Sequence, residues 1–172
     1  MPEAVAHLAE PLRSALRVSH QARREDTDRV SRIYAEAGVA TEVRSFFDDI
    51  PDRMSGAQLV ISRAGASSIA DLTVIGRPSI LVPFAAAAAD HQSANARALG
   101  EAEAAVVIPE DRLTAQALAG AVETILSQPR TAERMAAQAL SLGRPDAARD
   151  LADLAETIAG MDNTNKKGTG QP

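Results

Sequence analysis

The segment Ser62-Arg63-Ala64-Gly65-Ala66-Ser67-Ser68-Ile69-Ala70-Asp71 passes from an apolar, β-branched stretch through small residues into a helical pattern. Small side chains let a ligand reach the backbone, and the free amides of a helix start, reinforced by the helix dipole, suit a phosphate or diphosphate. Ser67 and Ser68 add hydroxyl donors. Asp71 stands four residues after Ser67 and three after Ser68, hence on the same helical face, where a carboxylate could accept the hydroxyls of a ribose. The plainer alternative is that Ser67 or Ser68 caps the helix, Gly65 makes a tight turn and Asp71 is a solvated surface acid. Spacing alone leaves both open.

Two further segments carry candidate chemistry. In Asp90-His91-Gln92-Ser93-Ala94-Asn95, Asp90 is suited to an N-cap, and Gln92 and Asn95, three apart, share a face whose amides suit sugar hydroxyls. His91 is either a base or an ordinary helix-start histidine. The five alanines 85–89 before it neither bind nor pack strongly and read as a mobile loop. In Phe46-Phe47-Asp48-Asp49-Ile50, one ring could cover a nucleobase while its backbone reads the base edge; alternatively both rings close the core and Asp48 or Asp49 caps a short helix. Adjacent carboxylates diverge and no third ligand is near, so no metal site is expected there. His20-Gln21 is a weaker signal of the same kind.

These segments need a scaffold. Short β-branched runs at residues 16–19, 41–44, 59–62, 79–82 and 105–108 have the length of buried strands, and residues 3–15, 25–37, 67–75 and 90–99 carry apolar positions at helical spacing. Alternating strands and helices predict crossover connections and a parallel sheet, and the candidate residues all follow strands, at the carboxyl edge where open α/β sheets bind ligands. Gly38 and Gly76 stand where left-handed C-caps are expected. After Pro109 the pattern is helical only, through 114–127, 130–142 and 145–159, with Thr114 as a candidate N-cap. The composition from 161 to 172 turns polar and predicts a disordered tail after a domain spanning 1–160.

The chain has 172 residues, one domain's worth, with 18 Lys+Arg against 23 Asp+Glu and a net charge of -5. No basic run exists to neutralise phosphates along a backbone, and 2% aromatic residues provide few stacking platforms, which argues against nucleic acid as a partner, and none is expected. Cys 0 removes disulfides, thiolate zinc sites and cysteine nucleophiles. No apolar stretch approaches the roughly 20 residues of a membrane span, and no export signal opens the chain, which predicts a cytoplasmic protein.

Taken together, ISRAGASSIADLTVIGRPSILVPF followed by DHQSANARAL closely resembles the C-terminal half of the MurG-type glycosyltransferases of peptidoglycan synthesis, which add N-acetylglucosamine to undecaprenyl-diphosphate-MurNAc-pentapeptide. VSHQARREDTDRV, RSFFDDIPDRM and LGRPDAARDLADL extend the resemblance to roughly residues 10–160. The resemblance implies a Rossmann-like parallel sheet with flanking helices, one half of a GT-B enzyme, that binds UDP-N-acetylglucosamine. By position, Phe47 would meet the uracil through its backbone, Ala66, Ser67 and Ser68 would hold the diphosphate, Asp71 would take the ribose, and His91 and Gln92 would face the sugar. The family usually has glutamate where this chain has Asp71.

The resemblance further implies inverting transfer that converts lipid I to lipid II, with the base on an acceptor-binding half that this sequence lacks, so no catalytic base, metal or cofactor is expected here. The implied partners are the nucleotide sugar, the lipid-linked acceptor reached through that other half and, in a split protein, a companion chain supplying it, with the full enzyme peripheral to the inner face of the cytoplasmic membrane. Family members open this half with a strand and a GGSQGA-type loop. In the doubly wound order that strand lies mid-sheet, so runs 16–19 and 59–62 are expected to be left with open edges, as in a fragment or one part of a split protein. The alternatives are a non-catalytic nucleotide-sugar-binding subunit, or another UDP-sugar enzyme of the same architecture, such as an epimerase.

Overall fold

The structure, a computed structural model, describes residues 1–86 and 90–166, with side chains described to residue 159. All five β-branched runs form strands: β1 (Arg17–Gln21), β2 (Ala40–Arg44), β3 (Val60–Ser62), β4 (Ser79–Leu81) and β5 (Ala105–Val107). The helices are α1 (Pro2–Ala6), α2 (Glu10–Ala15), α3 (Thr27–Glu36), α4 (Ile50–Gly56), α5 (Ala66–Ile75), α6 (His91–Glu101), α7 (Ala115–Leu126), α8 (Pro129–Leu142) and α9 (Ala147–Lys166). The fold is thus Rossmann-like: parallel strands, each followed by a helix, then a helical C-terminal segment.

Local chemistry explains most boundaries. The single helix expected over 3–15 is two, because Pro11 lacks an amide hydrogen and is accommodated only in the first turn of α2, after an extended Ala9. Thr114 caps α7 through its side chain, accepting from the Ala117 amide. Gly38 and Gly76 both adopt positive φ, at +70° and +71°, as expected of left-handed caps. At Gly76 a Cβ would also collide with Leu140, and at Gly143 a Cβ would fall 2.7 Å from the Thr73 carbonyl, so glycine lets α5 and α8 approach closely. α9 continues to Lys166, past residue 161 where the sequence turns polar, since each further helical residue adds a hydrogen bond once the helix is nucleated. Residues 167–172 of the expected tail lie outside the described residues.

The sheet is in two pieces. β1 pairs in parallel with β2, and β3–β4–β5 form a second parallel ladder. β1 and β3 each have one edge without a strand partner among the described residues, the two edges that the doubly wound order sets either side of a missing strand. One apolar core nevertheless underlies both pieces: Tyr34, Ile80, Ile125 and Val5 are its centre, and Val18 and Val43 from one piece and Ile61 and Val106 from the other pack on it, against α1, α3 and α7. Successive strand residues point to opposite faces, so Ile80 enters this core while Leu81 enters a second one with Leu72, Ala96, Leu99 and Ala139, beneath α5, α6 and α8. Ala64, Ala96, Ala104 and Ala139 are wholly buried there, and their small size brings the helices close to β3–β5.

Candidate functional site

All three candidate segments follow the carboxyl ends of strands, and each has a distinct local architecture. After β3 the chain crosses Arg63 and the buried Ala64 to Gly65, which caps α5 with extended backbone and no side-chain acceptor. The first intrahelical bond runs from the Ile69 amide to the Gly65 carbonyl. The amides of Ala66, Ser67 and Ser68 therefore find no acceptor among the described residues, and neither serine is a cap. Ser67 and Asp71 are exposed, Ser68 is half-buried, and Leu72, next in sequence to Asp71, is wholly buried. The helix thus presents open donors and a solvent-facing carboxylate on one side while its other side anchors it in the core.

The peptide of Ala64 is held at both ends by α6. Gln92 Oε1 accepts from the Ala64 amide at 3.2 Å, and Asn95 Nδ2 donates to the Ala64 carbonyl at 3.0 Å. Gln92 Oε1 also accepts from the Phe84 amide at 3.0 Å. Two N–H donors on one oxygen fix the orientation of the carboxamide, leaving Nε2 as its only group for a ligand. Of the two amides expected to suit a sugar, Asn95 Nδ2 thus binds backbone and Gln92 binds it through Oε1. Asp90 does precede α6, but in a left-handed conformation and without a side-chain cap bond. His91 is exposed. Of the alanine run, residues 87–89 lie outside the described residues.

After β2, the two phenylalanines divide. Phe47 is buried, with the Arg53 guanidinium 3.9 Å from its ring centroid, whereas Phe46 is 71% exposed. The Phe47 amide donates to Gln21 Oε1 at 3.2 Å, which ties the end of β1 to this loop and leaves the Phe47 carbonyl as its free backbone group. Asp49 precedes α4 without capping it; its carboxylate binds Arg53 at 2.6 Å, and Arg53 also reaches Glu42 at 2.7 Å and Ser19 at 2.9 Å. Hydrogen bonding to Arg53 holds both carboxyls below their usual range. α4 packs on α5, the helix that carries Ser67, Ser68 and Asp71.

Sequence reading missed one cluster. Arg63 pairs with Glu110 at 2.7 Å, donates to the carbonyls of Val82 and Pro83, and lies 5.3 Å from the Phe84 ring centroid. Glu110 also accepts from the Ala85 amide, and this bond, with the Arg63 contact second, holds its carboxyl below the usual range. One ion pair therefore joins the loops after β3, β4 and β5. The available signal was a lone arginine directly after a β-branched strand. An open hollow of about 450 Å³ lies on the flank of α6, bordered by Pro83, Ser93, Arg97, Val107 and Glu110; it does not include Ser67, Ser68 or Asp71.

His20 turns inward. Its Nδ1 lies 3.0 Å from the Tyr34 hydroxyl, the rings meet edge to face, and burial lowers its pKa from the usual 6.5. An unfolded chain binds a proton near that usual value which the folded chain refuses. The stability contributed is therefore complete above about pH 6.5 and lost as pH falls through the depressed folded value. Urea midpoints measured from pH 7.5 to pH 5 should fall more steeply for the native chain than for His20→Gln; parallel curves would count against this burial.

Comparison with known proteins adds to this geometry. Residues 1–155 match the family model described as the glycosyltransferase family 28 C-terminal domain. A protein of Chelativorans sp. (strain BNC1), named UDP-N-acetylglucosamine--N-acetylmuramyl-(pentapeptide) pyrophosphoryl-undecaprenol N-acetylglucosamine transferase, is 48% identical over 92% of this chain and 42% of its own length. A protein of Caulobacter vibrioides with the same name is 47% identical over 92% of this chain and 44% of its own. The chain spans less than half the length of these relatives. The crystal structure of Acinetobacter baumannii MurG matches with a TM-score of 0.81 at 28% identity, over 91% of this chain and 44% of that one. Glycosyltransferase VinC, solved in complex with DTDP, shares the fold with a TM-score of 0.60 at 18% identity, over 96% of this chain and 36% of that one. The chain belongs to glycosyltransferase family 28, as a match to its C-terminal domain.

Proposed function

We propose that this chain is the donor-binding half of the N-acetylglucosaminyltransferase that converts lipid I to lipid II, and that UDP-N-acetylglucosamine lies at the start of α5. The observation that carries this reading is the set of three amides, on Ala66, Ser67 and Ser68, left without acceptors beside an exposed Asp71. The diphosphate sits on those amides, with Ser67 and Ser68 as added donors. Asp71 accepts the ribose hydroxyls, the Phe47 carbonyl meets the uracil, and the exposed ring of Phe46 covers it. Gln92, through Nε2, and His91 face the sugar.

In the transfer, the C4 hydroxyl of the MurNAc unit attacks the anomeric carbon, the bond from that carbon to the diphosphate oxygen breaks, and UDP departs with the electron pair. The acceptor's proton goes to a base on the other half of the enzyme. This chain's part is to stabilise the departing diphosphate, which preorganised amides do without reorganising as charge develops. The strand with which family members open this half would lie between β1 and β3, each of which has an edge without a strand partner among the described residues. Among the described residues no helix is long and apolar enough to cross a membrane. A lipid-linked acceptor is the reason for proposing that the whole enzyme works at the inner face of the cytoplasmic membrane.

Titrating the chain with UDP-N-acetylglucosamine and UDP-galactose, alone and mixed with the N-terminal half of the Chelativorans relative, tests the reading. UDP-N-acetylglucosamine should bind more tightly, shift the amide resonances of residues 66–68, and be turned over only in the mixture. Preference for UDP-galactose, or shifts confined to other loops, would overturn it.

A further inference from the structure

The Ala64 peptide is the last backbone unit before the Gly65 cap, it is wholly buried, and both of its polar groups are satisfied by side chains of one helix. Buried backbone groups require partners, and no solvent is at hand to replace a lost one. Gln92 is over-determined, since its Oε1 serves two amides from two loops and stays in place if either bond loosens. Asn95 is different: its Nδ2 is the sole donor to the Ala64 carbonyl among the described residues. Without that bond the carbonyl is orphaned, and the nearest freedom to relieve it is rotation about the Ala64–Gly65 backbone. That rotation swings the amides of residues 66–68 as a unit.

We propose that Asn95 is a positioning residue for the anion-binding amides at the start of α5: it touches no ligand and acts through the Ala64 carbonyl. This rests on the reading that those amides take the diphosphate. It also gives α6 two separate tasks, Gln92 fixing the spacing of the loops after β3 and β4, and Asn95 fixing the aim of the helix start.

The test uses Asn95→Leu, which keeps the volume and removes the donor, and Asn95→Asp, which keeps the shape and sets an acceptor against the carbonyl. UDP and uridine are titrated by NMR, and amide hydrogen exchange is followed without ligand. Both variants should lose about 5- to 20-fold in UDP affinity with uridine affinity held within about twofold. Exchange should quicken at residues 65–68 while the amides of α7 keep native rates. A merely structural role would lower both affinities together and quicken exchange throughout, which would overturn the proposal, as would native behaviour in both variants. If one variant fails to fold, the other decides. Failure of the underlying reading has its own signature: the native chain would bind UDP no better than uridine, and the proposal falls with it.

Discussion

Asp71→Ala is expected to weaken UDP binding about 10- to 100-fold while leaving the unfolding midpoint unchanged, the range of one or two hydrogen bonds to a charged acceptor. The side chain is exposed and pairs with nothing among the described residues, so its removal costs the fold no contact. It stands one turn beyond the amides proposed to hold the diphosphate, on the face of Ser67 and Ser68, where ribose hydroxyls would follow. Calorimetry on the native and variant chains measures both quantities. An unchanged UDP affinity would remove Asp71 from the site.

Leu72→Ala, one residue further, should do the reverse. Leu72 is wholly buried in the second core against Leu81, Ala96, Leu99 and Ala139. Its neighbours are leucines and alanines already packed in the core, the alanines too short to fill the space left, so the change should cost about 2–5 kcal/mol of stability. The folded fraction should still bind UDP with near-native affinity, because the lost volume lies on the face of α5 turned from the ligand. Chemical denaturation with a parallel titration checks the pair, and a Leu72→Ala chain as stable as the native one would mean that α5 is not anchored there. Two neighbouring residues thus separate holding the ligand from holding the helix.

How much of this was legible depended on whether the signal was local. Ile80 and Leu81 sit in a short β-branched run, and a strand there needs no knowledge of its neighbours; Gly38, Gly76 and Thr114 announce helix ends through their own backbone and side-chain chemistry. The candidate segments were found because small residues and hydroxyls after a strand are themselves the signal. Which way a side chain turns was not legible. Gln92 and Asn95 share a polar face that suits a sugar equally well, and only the rotation of α6 against β3 turns that face to the Ala64 peptide. The division between Phe46 and Phe47 has the same origin, since either ring satisfies the pattern and burial depends on where Arg53 arrives from α4. Arg63 and Glu110 are 47 residues apart, beyond the reach of any spacing rule.

The gap between β1 and β3 bears on how the molecule holds together over time. Among the described residues no backbone ladder joins the β1–β2 pair to the β3–β4–β5 ladder, and their shared core, with Val18, Tyr34, Ile61 and Ile80, links them through side chains. Apolar contacts are non-directional, so the smaller pair can breathe as a separate unit while the larger ladder stays shut. A polypeptide seated in the gap would couple the two halves of the sheet through hydrogen bonds, and would make the opening of either one an event for both.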